Sequence, residues 1–129
     1  MKLLLDTHAL LWMISDDPRL SETARRQISA ADDIVWSTAS LWEIGIKLSL
    51  DRPDFRMGAG WERLIPEEMN RNNIGRLDLQ PIHCALLSKL PWHHRDPFDR
   101  LLASQALCEK RGLISRDDAF DAYGVPRLW

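Results

Sequence analysis

Apolar positions along the chain fall into short runs, each broken by polar punctuation, and the period changes from run to run. Lys2-Leu3-Leu4-Leu5 is too short for a helix and stops at Asp6, the pattern of a buried parallel strand with a carboxylate at its carboxyl end. His8 to Ile14 has helical density. Ser15-Asp16-Asp17-Pro18 breaks it, and Ser21 caps a second helix to about Ala30 that turns Ala24 and Ile28 inward. Ile34-Val35-Trp36 is short and β-prone, which predicts a second strand. From Thr38 to about Leu50 the helical period returns, with Leu41, Ile44 and Leu48 on one face.

The middle of the chain is less regular. Phe55 to Gly60 reads as a loop, and Trp61 starts a helical turn that Pro66 is expected to interrupt, opening a new helix. Ile74 to Leu79 is a weak strand, and Pro81 opens a helix with Ile82, Leu86 and Leu90 in phase. Pro91-Trp92-His93-His94 connects to Arg95-Asp96-Pro97-Phe98-Asp99-Arg100-Leu101-Leu102-Ala103. There Asp96 reads as N-cap, Pro97 as the first helical residue and Asp99 as a first-turn acid on the same side as Leu102, Ala103 and Ala106. Gly112 is placed to end that helix. Leu113-Ile114-Ser115 is a short strand running into Arg116-Asp117-Asp118, and Gly124 to Trp129 supplies a last edge strand. Strands alternating with helices predict a three-layer α/β/α sandwich with a mostly parallel central sheet of four to five strands.

Composition adds bounds. A length of 129 residues suits one domain, 1–129, with a real core. Cys84 and Cys108 fall in candidate helices and are expected to be small buried hydrophobes rather than a disulfide. No run reaches the ~20 residues of a membrane span, and the start lacks the layout of a signal peptide, so a cytoplasmic location without a membrane partner is expected. A net charge of −2 does not announce a polyanion binder. Clustered acids that hold divalent cations would restore the balance locally, so nucleic acid stays open as a partner.

In parallel sheets, ligands bind outside the carboxyl ends of the strands. That rule selects Asp6 and either Asp117 or Asp118, with position relative to Ser115 favouring Asp117. It also selects acids in the helices that follow strands, Glu43 and Asp99. Read singly, each has an ordinary role: Asp6 as a helix cap, Glu43 paired with Lys47 four residues on, Asp117 or Asp118 shaping a turn, and Asp96 as a cap. Read together, they converge. No lysine or arginine falls within these strand ends to neutralise all four, whereas a hard divalent cation would, and oxygen ligation favours magnesium or manganese. One or two such ions activate water and stabilise the leaving oxygen in phosphodiester cleavage.

Other chemistries fit less well. His93 and His94 lack a partner acid–base motif for metal-independent ribonuclease chemistry. A zinc site from His83, Cys84, His93, His94 and Cys108 has no CxxC or HxxxH spacing. An aspartyl-phosphate phosphatase needs a second aspartate two residues after Asp6, where His8 stands. A catalytically silent binding module of the same fold, acting only in a partner complex, is the remaining alternative.

Leu4-Leu5-Asp6-Thr7-His8-Ala9-Leu10-Leu11-Trp12, Ser40-Leu41-Trp42-Glu43-Ile44, His94 to Leu102 and Ser115-Arg116-Asp117 resemble the successive motifs of PIN-domain ribonucleases, most closely the VapC-type toxins of type II toxin–antitoxin pairs. The resemblance runs from residue 2 to Trp129. It implies a PIN-like nuclease domain and a magnesium- or manganese-dependent endoribonuclease acting through a metal-activated water on transfer or ribosomal RNA. It further implies a homodimer silenced by a cognate antitoxin that reaches into the acidic site. By motif, Asp6, Glu43, Asp99 and Asp117 match the catalytic and metal-holding acids. Thr7 and Ser115 match hydroxyl positions that orient them, and Asp96 would act as cap and support. Arg95, Arg100 and Arg116 flank these motifs and could hold RNA phosphates, against the ordinary alternative of solvation or ion pairing.

Overall fold

A computed structural model describes residues 1–129. Five parallel strands form one sheet in the order β3-β2-β1-β4-β5. They are β1 (Lys2–Leu5), β2 (Asp33–Ser37), β3 (Gly75–Leu77), β4 (Gly112–Ile114) and β5 (Arg127–Leu128). Six helices complete the three layers: α1 (Thr7–Ile14), α2 (Glu22–Ala30), α3 (Ala39–Ser49), α4 (Trp61–Arg71), α5 (Pro81–Leu87) and α6 (Pro97–Glu109). A 3₁₀ segment over Asp118–Tyr123 precedes β5. No helix is long and apolar enough to cross a membrane.

Alternation along β1 divides the core in two. Leu3 and Leu5 face α1 to α4, meeting Leu10, Ile44, Ile65 and Met69. Leu4 faces the opposite layer with Val35, Leu113, Leu102, Ala106 and Phe120. Because β1 is covered on both faces and pairs with β2 and β4, it reads as an unbroken apolar run rather than an alternating one. The chain's strand order reverses at β1. Loops on its two sides diverge there and leave a crevice at its carboxyl end, where Asp6 stands.

Four local expectations are corrected. Pro66 does not restart a helix: α4 runs unbroken from Trp61 to Arg71. A proline inside a helix costs about 3 kcal/mol. Burying Ile65 and Met69, both essentially inaccessible, returns about 1.5–3 kcal/mol each and outweighs it. In α5, Ile82 is exposed and the helix ends at Leu87, before Leu90. The inward residue is His83, whose Nδ1 accepts the Gln80 N–H at 2.9 Å and whose Nε2 lies 3.1 Å from Glu109 Oε2. A fully satisfied histidine took the position that an apolar count assigns to Ile82. Gly112 does not end α6, because Lys110 takes the left-handed conformation (φ 53°). Gly112 instead opens β4, where a Cβ would stand 3.2 Å from the Leu3 side chain. The cysteines are free as expected but not buried: Cys84 is exposed and Cys108 half-buried.

Replacing Pro66 with alanine restores a helical N–H to an intact α4. It should raise stability by about 2 kcal/mol, the helical cost of proline less the freedom the unfolded chain regains, read as a higher urea midpoint at unchanged slope. A lower midpoint would mean that α4 depends on the proline.

Candidate metal centre at the carboxyl edge of the sheet

Each acid is set by the element it starts. β1 ends at Leu5, and Asp6 becomes the N-cap of α1, its Oδ1 accepting the Ala9 N–H at 2.7 Å. Asp96 caps α6 by accepting from the backbone N–H groups of Phe98 and Asp99, which fixes the first turn from which Asp99 projects. Asp117 caps the 3₁₀ segment, its Oδ1 accepting the Ala119 N–H at 2.9 Å while Ser115 Oγ accepts its own N–H. Glu43 is buried one turn into α3. Its Oε1 accepts the Thr7 hydroxyl at 2.6 Å, and Ser40 Oγ lies 2.9 Å from Thr7 Oγ1. Capping and convergence are therefore compatible, since a cap occupies one carboxylate oxygen and leaves the other.

Asp6, Glu43, Asp96, Asp99 and Asp117 line one cavity of about 260 Å³ together with Thr7, His8, Lys47 and His94, and no apolar side chain lines it. Asp118 does not line this cavity; it lies in the adjoining cleft with Asp6 and Asp117. Ser115 is buried, and its hydroxyl works to lower the pKa of Asp6. Among the three flanking arginines, Arg95 and Arg116 are exposed. Arg100 is not available: it is buried, donates to the carbonyls of Leu87, Leu90 and Pro91 and to the Tyr123 hydroxyl, and lies against the Trp92 ring. A side chain with its donors spent on backbone carbonyls cannot also hold a phosphate, so Arg100 is a structural residue.

Three groups lie in the cavity that the sequence reading did not place there: His8, His94 and Lys47. His94 Nε2 stands 2.8 Å from Asp99 Oδ2 and 3.7 Å from Asp117 Oδ2, and ligand atoms of all three lie within 4.8 Å of one another. Its backbone N–H is held by the Tyr123 hydroxyl. The only signal in the sequence is its closeness to the Asp96–Asp99 motif. Lys47 Nζ pairs with Glu43 Oε2 at 2.8 Å, the i,i+4 pair weighed as the ordinary role of Glu43, so one cation does stand among the acids. It accounts for one of five carboxylates.

The imbalance registers on the acids. Burial pushes the Asp6 carboxyl from 3.8 up to about 7, with Asp99 and Glu43 adding repulsion and Ser115 and the Ala9 N–H opposing it. Burial, then the nearby Asp96, raises Asp99 to about 6, against the pull of His94. Oxygen donors of one sign, held rigidly by caps in a polar cavity with too few cations, fit a hard divalent ion.

The fold and this cavity define an α/β/α protein with an acidic, cation-ready centre at the switch point of a parallel sheet. The chain belongs to the PIN domain family, whose model matches residues 3–126. Comparison with curated proteins returns no match. Among solved structures, the chain is similar to VapBC2 from Rickettsia felis bound to a DNA fragment from their promoter (15% identity, 98% of this chain and 97% of that one, TM-score 0.69). It is also similar to VapBC-1 from nontypeable Haemophilus influenzae (18%, 98% and 96%, TM-score 0.69) and to FitAcB from Neisseria gonorrhoeae (16%, 97% and 95%, TM-score 0.65). At these identities the likeness shows the fold.

A carboxyl raised in the folded state holds a proton that the unfolded chain has already released, so folding stability falls as pH rises through the window from about 4 to 7 set by Asp6. In chelator, the melting temperature should therefore drop between pH 5 and 8. Magnesium should recover it, more strongly at the higher pH, because the ion binds the ionised acids. A magnesium effect that does not grow with pH would contradict this assignment.

Proposed function

We propose that this chain is a metal-dependent endoribonuclease of the VapC type, the toxin of a toxin–antitoxin pair. The observation that carries the reading is the meeting of Asp6, Glu43, Asp99 and Asp117, from four distant parts of the sequence, in one polar cavity. Membership of the PIN family and fold similarity to VapBC proteins support it. The partners are a cognate antitoxin, a second copy of the chain, and an RNA, transfer or ribosomal by the resemblance. The place of action is the cytoplasm.

The four acids hold one or two magnesium or manganese ions, and Asp117 rather than Asp118 is the fourth because it lines the cavity. When bound, such an ion supplies the Lewis acidity and polarised water that phosphodiester hydrolysis requires. The chain's own groups do the rest. Thr7 and Ser40 fix the rotamer of Glu43, and Ser115 holds Asp6. Asp96 locks the start of α6 so that Asp99 cannot swing away. His94 donates from Nε2 to Asp99, keeping that carboxylate aimed inward, and Lys47 offsets the charge of Glu43. Exposed Arg95 and Arg116 meet RNA phosphates that the acids alone would repel. Hydrolysis consumes one water, breaks one P–O bond and leaves a phosphate monoester and a hydroxyl.

Asp6→Asn and Asp99→Asn should each lower magnesium-dependent cleavage of total RNA by roughly a hundred-fold or more. Thr7→Val, which frees Glu43, should cost about ten-fold. Growth arrest on expression should vanish with Asp6→Ala. RNA cleavage unchanged by Asp99→Asn, or none by antitoxin-free protein with magnesium, would return the chain to the silent binding module.

A further inference from the structure

Beside the acidic cavity, and sharing Asp6, His8 and Asp117 with it, lies a second cleft of about 360 Å³ lined also by Trp12, Arg116 and Asp118. His8, Trp12, Arg116 and Asp118 are not among the groups assigned to hold the metal. The exposed His8 ring is stacked on Trp12, with centroids 5.4 Å apart and planes 29° from parallel. Trp12 is braced in turn. Trp129 packs against it at 5.8 Å, Arg19 lies over it at 5.0 Å, and it rests on the core. His8 therefore offers a flat face that is already fixed in place, and ordering it costs little on binding. Arg116 extends into the same cleft without a carboxylate within ion-pair distance.

A fixed ring beside a free guanidinium is the combination that takes a base on one group and its phosphate on the other. A peptide segment would call for an apolar groove, yet Trp12 is the one apolar residue in this lining. Resting on the nuclease reading above, we infer that this cleft seats the nucleotide next to the scissile phosphate, its base stacked on the His8–Trp12 pair and its phosphate on Arg116. A base can reach His8 only after leaving a helical stack, so the subsite selects unpaired RNA.

The test is binding of a fluorescein-labelled adenylate decamer, rA10, to the full chain carrying Asp99→Asn in magnesium, read by anisotropy. A decamer of abasic ribose-phosphate serves as the control. His8→Ala and Arg116→Ala should each weaken rA10 binding about ten-fold, the scale of one stacked base or one phosphate contact. Trp12→Phe, which keeps a ring in the core, should weaken it less. The abasic decamer should bind about ten-fold more weakly than rA10 and be indifferent to His8→Ala. The inference is overturned if His8→Ala leaves rA10 affinity within two-fold, if the abasic decamer binds as tightly, or if rA10 does not bind. Hydrolysis of total RNA by the unsubstituted chain tests the nuclease reading separately. Cleavage without a His8 effect sinks only the subsite, and a His8 effect without cleavage sinks only the nuclease.

Discussion

Like charges gathered where water is scarce are the constraint around which this fold is arranged. Asp6 is buried at the end of the central strand, and Glu43 is buried beside it. Asp99 and Asp117 close the cavity from α6 and from the loop after β4. In the chain alone, burial and mutual repulsion both work against their ionisation, which is why Asp6 and Asp99 titrate far above ordinary carboxyls. Helix N-termini relieve part of the strain. Asp6, Asp96 and Asp117 each accept backbone N–H groups at the start of a helical segment, where the dipole favours negative charge. Those same bonds fix the direction of these three carboxylates, so the device that makes them tolerable also makes them rigid.

The parallel sheet is what allows four remote segments to meet. With β1 between β2 and β4, the elements that follow all three strands begin on one edge, and their first residues are brought to one place. α6 reaches the same edge by a different route, across the face opposite α1, with Leu102, Ala103 and Ala106 anchored against Leu4 and Leu113. The two apolar layers therefore hold the cavity from both sides, and a loss of packing in either would spread the acids apart.

Much of this was legible in the chain itself. The Leu-rich run ending at Asp6, and the Asp96-Pro97 helix start, carry their structure locally: burial on both faces in one case, cap chemistry in the other. What escaped detection depends on distance. His83 is buried because Gln80 and Glu109 satisfy it, and the second of these comes from another helix. Arg100 resembles a surface arginine until Leu87, Leu90, Pro91 and Tyr123 are folded around it. Pro66 carries a valid stop signal that Ile65 and Met69 override through tertiary packing. His94 reaches the cavity from a position whose spacing announces no role. The alternatives weighed for single acids also proved compatible with convergence, since Glu43 does pair with Lys47 and Asp6 does cap α1.

Whether the acids exist to grip a cation can be asked directly. Crystals soaked with manganese and measured at its absorption edge should show anomalous density in the cavity between Asp6 and Asp99, lost in Asp6→Asn crystals of the same form. Density only at exposed surface carboxylates, or none with the acids still gathered as described here, would contradict a metal centre and leave their convergence without a purpose.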